Sequence, residues 1–246
     1  MKAMILAAGL GTRLRPLTND RPKALVEIAG RTLLEIALCR LRVFGVNEAI
    51  VNAHHFAGMI VEYLKAHDNF GMRIEVSREE ELLDTGGGLK KAAAFFSGSQ
   101  EPFILHNVDV ISEIDLGLMV RFHSTQAALA TLAVQDRPTS RYLLFDEAGQ
   151  LCGRRAGRDG TNELVRFAQQ PQPLAFSGIH VISPQIFAKM TEDGAFSIID
   201  AYLRLAVESE LICAFRADGC YWRDLGRPAS VVEAARDLAN GKYSGD

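Results

Sequence analysis

The sequence predicts an α/β fold on a mixed, mostly parallel sheet, and three observations carry that prediction. Strand-like apolar runs alternate with helix-period segments through residues 1–125; short strand-like runs then follow one another from Gln126 onward; and a glycine-rich, cationic turn comes directly after the first strand. Strands that alternate with helices imply βαβ units and parallel pairing.

Met1 to Ala8 reads as a buried strand ended by Gly9. In "RTLLEIALCRLRVFG", Leu34, Ala37, Leu38, Leu41 and Phe44 share one helical stripe, and Gly45 stops the helix. "EAIVNA" is a strand, "FAGMIVEYLKAH" a helix with Phe56, Ile60, Tyr63 and Leu64 inward, and "MRIEVS" a third strand. Gly88 to Phe96 make a short helix, and "PFILHNVDV" a fourth, strongly apolar strand. Beyond Gln126, "ALATLAVQ", "RYLLFD", "QLCGRR", "ELVRFA" and "LAFSGIHVIS" are strands parted by turns, with Asp146-Glu147-Ala148-Gly149 as a hairpin turn. Helical patterns return at Pro184 to Met190, Ile198 to Glu208 and Ala229 to Ala239. No Pro- or Ser-rich linker interrupts the chain, so one domain over 1–246 is expected, with no hexapeptide β-helix array in it.

Of the 246 residues 48% are hydrophobic and 23% charged, enough for a sizeable core. A formal net charge of -3 argues against a nucleic-acid partner, because such proteins carry a basic excess. Any anion bound here must be small and held by local cations. Cys39, Cys152, Cys213 and Cys220 show no CxxC spacing, so free thiols are expected rather than disulfides or zinc. The run Ala3 to Ala8 is too short for a secretory leader, and no run approaches a membrane span; a cytoplasmic protein without a membrane partner is expected.

The chemistry concentrates in the turn after the first strand. Gly9-Leu10-Gly11 satisfies half of a dinucleotide fingerprint, but Leu14 stands where the third glycine would be, and no Gly-Lys-Ser/Thr closes a P-loop. What remains is a turn whose backbone N–H groups can approach phosphate without side-chain obstruction. Arg13 adds a planar bidentate donor and Lys23 a compact charge. Asp109 lies at the end of the fourth strand, on the carboxyl edge where α/β sheets place ligands. His54 and His55 are neighbours on a strand and point to opposite faces, so they are read as structural. Glu79-Glu80-Glu81 is read as a solvated edge.

The stretch "LAAGLGTRLRPLTNDRPKAL" resembles, nearly position for position over twenty residues, the signature of the sugar-1-phosphate nucleotidyltransferases. The likeness continues at Thr85 to Gly88, Asn107 to Asp109, Phe176 to Val181 and Trp222 to Gly226, and so spans almost the whole chain. It points to the short single-domain members: N-acetylmuramate-1-phosphate uridylyltransferases and the related heptose- or mannose-1-phosphate guanylyltransferases. The resemblance implies a three-layer α/β/α Rossmann-like domain, with an NTP-binding half (1–125) and a β-rich, sugar-phosphate-binding half (126–246). It implies catalytic roles for Arg13 and Lys23. Leu6, Ala7, Ala8, Gly9, Gly11 and Thr12 would meet the nucleotide, joined by Gly86, Gly87 and Asn107, the glycines from a loop against base and ribose. Asp109 and Asp224 map onto Mg²⁺ positions, and two carboxylates suit that ion's demand for a few hard oxygen ligands.

Gly178 maps to the sugar-phosphate site, but the Glu-Lys-Pro segment that often supplies a lysine there reads Ala168-Gln169-Gln170-Pro171. Arg141 or Arg166 is the candidate replacement. Val108 also departs from the glycine common before the metal aspartate. The expected reaction moves a nucleoside monophosphate from an NTP, UTP ahead of GTP, to a sugar 1-phosphate, in a monomer or small homo-oligomer. A non-catalytic NDP-sugar sensor of the same fold is the rival, and it would be expected to have lost Arg13, Lys23 or an aspartate. A dinucleotide oxidoreductase needs an acidic residue after the second strand, where "IVNAHH" offers none.

Overall fold

In the computed structural model, which describes residues 1–157 and 159–244, alternate side chains of the first strand feed two separate cores. Strand β1 (Lys2–Leu6) sends Ala3 and Ile5 into one apolar cluster and Met4 and Leu6 into the other, as the two-residue period of a strand requires. A strand buried on both faces must be covered by helices on both, which makes three layers.

After the short hairpin β2 (Glu27–Ile28) and β3 (Arg31–Thr32), helix α1 (Leu33–Val43) is capped by Thr32, whose hydroxyl accepts from the Glu35 N–H. Its buried Leu34 and Leu38 join the first cluster, each worth about 2 kcal/mol of transfer free energy. Then come β4 (Glu48–Ala53), α2 (Ala57–Ala66), β5 (Arg73–Arg78), α3 (Asp84–Lys91), α4 (Ala93–Phe96) and β6 (Phe103–Asn107). Strand β7 (Val110–Ser112) and α5 (Leu116–Gln126) end the first half. The second half holds β8 (Ala130–Gln135), β9 (Arg141–Phe145), β10 (Leu151–Ala156), β11 (Asn162–Leu164) and the long β12 (Gln172–Ile182). It closes with α6 (Ile186–Lys189), α7 (Ile198–Val207), β13 (Ile212–Arg216), β14 (Trp222–Asp224) and α8 (Pro228–Ala239). Helices α1, α2, α5 and α8 pack on the first cluster, and α3, α4, α6 and α7 on the second.

The main sheet runs β11-β10-β9-β12-β6-β1-β4-β5, with β8 on β12 and β13 on β8. The α/β class, the three layers and the mixed sheet agree with expectation. Parallel pairing is confined to β6-β1-β4-β5 and to β8 with β13; β12 pairs antiparallel with β6, β8 and β9. The sheet is therefore a more even mixture than the alternation of the first half suggests.

Four local expectations need correction. "PFILHNVDV" is not one strand: it breaks at Val108-Asp109, and β7 leaves the sheet to pair with β14. Gly86 and Gly87 lie inside α3 rather than in a loop before a helix. Helix α5 is not among the predicted elements because its buried stripe is only Leu116, Met119 and the polar His123. Strand β11 takes in only the first two residues of "ELVRFA", Glu163 and Leu164, and Phe167 is 84% exposed. The four cysteines are free, as their spacing suggests.

Candidate active site

The carboxyl end of β1 delivers a turn held open by its own hydrogen bonds. Gly11 has φ +62°, and a Cβ there would stand 3.0 Å from Thr18 Cγ2 and 3.2 Å from Lys23 Cβ. Thr18 Oγ1 donates to the Gly11 carbonyl at 2.8 Å, which closes the loop on itself. Only glycine fits a left-handed position pressed this closely. The loop thus brings Lys23 back over Gly9, whose Cβ would lie 3.7 Å from Lys23 Nζ.

Lys23 Nζ meets Asp109 Oδ2 at 2.9 Å, with the two side chains 15% and 9% exposed. Asp109 reaches this point because β6 ends at Asn107. Strand β14 then sets Asp224 opposite Val110, and the Leu225 N–H donates to the Asp109 carbonyl at 2.8 Å. Two carboxylates more than a hundred residues apart in sequence are thereby brought to one wall. Asp224 Oδ1 accepts from the Gly226 N–H at 2.8 Å. Gly226 has no side chain where the Arg13 guanidinium passes: a Cβ there would lie 3.0 Å from Arg13 Nη2.

On the other wall, the Ala7 N–H donates to Asn52 Oδ1 at 2.7 Å and Asn52 Nδ2 donates to Glu79 Oε1 at 2.7 Å. Glu79 Oε2 accepts from the Leu83 N–H at 3.2 Å, so both carboxylate oxygens are engaged. Glu79 is 4% exposed, which corrects its reading as a solvated edge; Glu80 and Glu81 are exposed as expected. His54 Nδ1 lies 2.9 Å from the Glu79 carbonyl oxygen while His55 is exposed, so the two histidines do not act together.

Three contiguous cavities form the cleft. The first is lined by Leu6, Ala8, Gly9, Arg13, Lys23, Asp109 and Asp224, together with Asn52 and Glu79. The second carries Arg141, Arg155, Phe176 and His180; the third carries Arg137, Gly178, Trp222 and Arg227. Asn107 borders all three. Ala7 acts through its N–H, whereas Gly11 and Thr12 shape the turn without lining these cavities. Gly86 and Gly87 are not on the cleft surface. A Cβ on Gly86 would come 2.2 Å from the Phe196 ring and one on Gly87 2.3 Å from the Gly194 carbonyl oxygen, so these glycines admit close packing of α3. Asp84 and Thr85 are the residues of that segment that face the cleft. Arg166 is also absent from the cleft: its Nη2 is 2.6 Å from Asp146 Oδ2 and holds the β9–β10 hairpin turn.

Sequence reasoning did not find Asn52, Glu79, Arg137 or Trp222 as site residues. Asn52 had a usable signal, since it closes β4 as Asn107 closes β6, on the same carboxyl edge. The buried histidines below the cleft are neutral: burial takes His106 down to about 4 and His180 to about 3. His180 Nδ1 sits 3.0 Å from the Tyr202 hydroxyl. No group of three or more His, Cys, Asp or Glu side chains gathers as a metal cage among the described residues. No helix among them is long and apolar enough to cross a membrane.

Backbone donors, two cations and two carboxylates thus gather at one sheet edge, and comparison with known proteins shows the family to which such a chain belongs. Residues 2–241 match the nucleotidyl transferase family. The chain is 37% identical over 246 residues to the N-acetylmuramate alpha-1-phosphate uridylyltransferase of Caulobacter vibrioides, with 96% of both chains covered. It is 30% identical over 239 residues to the mannose-1-phosphate guanylyltransferase catalytic subunit beta of Xenopus tropicalis; that match covers 94% of this chain and 63% of the relative. In fold it is similar to HddC from Yersinia pseudotuberculosis complexed with GMP-PN, at a TM-score of 0.75 and 24% identity over 96% of this chain and 99% of that one. It is also similar to a UDP-glucose pyrophosphorylase complexed with UDP-glucose, at a TM-score of 0.78 and 19% identity over 98% of both. The chain belongs to the nucleotidyl transferase family.

Proposed function

We propose that the protein transfers uridine monophosphate from UTP to N-acetylmuramate 1-phosphate or a close analogue, giving a UDP-sugar and pyrophosphate, with GTP as the second candidate donor. The observation that carries this reading is the convergence of Arg13, Lys23, Asp109 and Asp224 on one cleft, in a chain 37% identical to a uridylyltransferase over 96% of both lengths.

The reaction brings two polyanions together, so the protein's task is positioning and charge neutralisation. The glycine turn after β1 presents backbone N–H groups to the triphosphate. Lys23, held by Asp109, faces the α-phosphoryl group, and Arg13 faces the departing pyrophosphate. The sugar-phosphate oxygen attacks the α-phosphorus in line, the bond to pyrophosphate breaks, and no covalent enzyme intermediate forms. Asp109 and Asp224 both line the first cavity, and their carboxylates are the hard oxygen donors that would hold Mg²⁺ there. Bound there, Mg²⁺ would neutralise charge at the reacting phosphates. A cytoplasmic monomer or small homo-oligomer fits this role.

The test is a pyrophosphate-release matrix of four NTPs against the 1-phosphates of N-acetylmuramate, mannose, heptose and glucose, with and without a Mg²⁺ chelator. The expected maximum is UTP with N-acetylmuramate 1-phosphate, lost on chelation. Absence of sugar-dependent release with every pair would overturn the reading.

A further inference from the structure

The sequence leaves Arg141 or Arg166 as the phosphate ligand for the acceptor. Arg166 is taken by Asp146, and Arg141 is exposed on the second cavity, away from the two aspartates. A different arginine is built into the wall where the cavities meet. Arg137 follows β8, and its guanidinium carbon lies 3.6 Å from the centroid of the Trp222 ring, stacked on it. Its Nη2 donates to the Phe176 carbonyl at 2.7 Å, while its Nε is fully buried without a hydrogen-bond partner. Trp222 is itself fixed, because its Nε1 donates to the Ser177 carbonyl at 2.7 Å.

Burial holds the Arg137 pKa below the ordinary arginine value, opposed by the longer-range charges of Asp224 and Tyr142. The fold has placed a cation where water solvates it poorly and has given it carbonyl and ring contacts but no paired carboxylate within contact distance among the described residues. Such a group is completed by an anion. The cavity beside it is bordered by Arg13, Asn107 and Asp224, the residues it shares with the first cavity. Gly178 borders it too, with φ +76°, where a Cβ would come 2.7 Å from Val110 Cγ2 and 3.0 Å from Asn107 Nδ2. The bare backbone at Gly178 lets β12 press against Val110 and Asn107, which sets Asn107 at the border of this cavity. Arg223 on the same cavity is already paired with Glu233 and Asp237, and Arg227 is exposed to water.

We propose that Arg137, held flat on Trp222, binds the phosphate of the sugar 1-phosphate and presents its oxygen toward the α-phosphorus at the Lys23–Asp109–Asp224 wall. The assignment rests on the transferase reading above. It places the acceptor phosphate in the third cavity and the nucleotide in the first, with Arg13 and Asn107 between them. Because the Trp222 ring and the Phe176 carbonyl hold the guanidinium before the ligand arrives, little side-chain entropy is lost on binding.

Trp222 is the only tryptophan of the chain, so its emission reports directly on the stacked arginine. N-acetylmuramate 1-phosphate, mannose 1-phosphate and glucose 1-phosphate are titrated into wild type, Arg137→Met and Arg137→Lys, each with a non-hydrolysable UTP analogue bound. Analogue affinity is measured separately by equilibrium dialysis, and circular dichroism checks the fold. At least one sugar phosphate should change the wild-type emission saturably. In Arg137→Met the half-saturation should rise roughly tenfold or more, Arg137→Lys should recover part of it, and the analogue's affinity should stay unchanged. The proposal is overturned if no sugar phosphate perturbs Trp222 in wild type. It is also overturned if Arg137→Met binds the acceptor as wild type does, or loses acceptor and nucleotide equally. If wild type binds a sugar phosphate through Arg137 but releases pyrophosphate with no NTP, the transferase reading fails and the Arg137 site stands.

Discussion

Lys23 Nζ and Asp109 Oδ2 stand 2.9 Å apart, joining the loop after β1 to the turn after β6 with both side chains largely shielded from water. A shielded pair is destabilising to break one-sidedly, since the remaining charge keeps its desolvation penalty and loses its partner. Lys23→Met alone and Asp109→Leu alone should each lower unfolding free energy by about 1–3 kcal/mol. The double variant should be less destabilised than the two losses combined. All three should lack pyrophosphate release. Urea denaturation checks the stability cycle, and additive losses would show that the pair is not energetically coupled.

The Asn52–Glu79 contact yields a second expectation. Glu79 accepts through both oxygens, from Asn52 Nδ2 and from the Leu83 N–H. Glu79→Gln keeps the shape but turns one acceptor into a donor that faces a donor. The expected loss is about 1–3 kcal/mol of stability. A raised KM for the NTP should accompany it, because Asn52 also holds the Ala7 N–H at the start of the glycine turn after β1. An unchanged melting temperature and KM would remove Glu79 from the site.

These two contacts show what was legible beforehand. The stretch from Leu6 to Lys23 is readable because its chemistry is local: strand, glycines and cations follow within a few turns of chain. Asp109 is readable from the rule that ligands sit at the carboxyl edge of a parallel sheet. The Asn52–Glu79 bridge and the Arg137–Trp222 stack arise only when distant strands pair, and no local pattern encodes those partners. Gly86 and Gly87 mislead for the opposite reason. Glycine weakens a helix by itself, yet here tight packing against Gly194 and Phe196 overrides propensity.

That packing can be tested with one pair of substitutions. Gly86→Ala would put a Cβ 2.2 Å from a Phe196 ring carbon and should cost about 1–3 kcal/mol through forced rearrangement. Gly58, in the first turn of α2, has nothing within 4 Å of its Cβ position. Gly58→Ala should therefore stabilise by roughly 0.5–1 kcal/mol through reduced unfolded-state freedom. Thermal melts of the two variants should move in opposite directions; a neutral Gly86→Ala would contradict the close approach.

The buried histidines set the acid limit of stability. Burial lowers His106 and His123 to about 4 and, with a smaller contribution from neighbouring His106, His180 to about 3. Their unfolded value is about 6.5. Because the folded values lie below it, the unfolded state binds more protons at mildly acidic pH. Stability is therefore full above pH ~6.5 and falls as pH drops toward the folded values. Each histidine contributes a slope approaching ~1.4 kcal/mol per pH unit once the unfolded state is protonated. Carboxylates with lowered pKa, such as Asp146 and Glu192, add their losses only at lower pH, near and below their ordinary values of 3.8 and 4.5. The window from pH 6.5 to 5 thus isolates the histidines. Urea midpoints measured across it should fall steadily with acidification, and a flat or rising profile would show that these imidazoles accept protons in the folded protein.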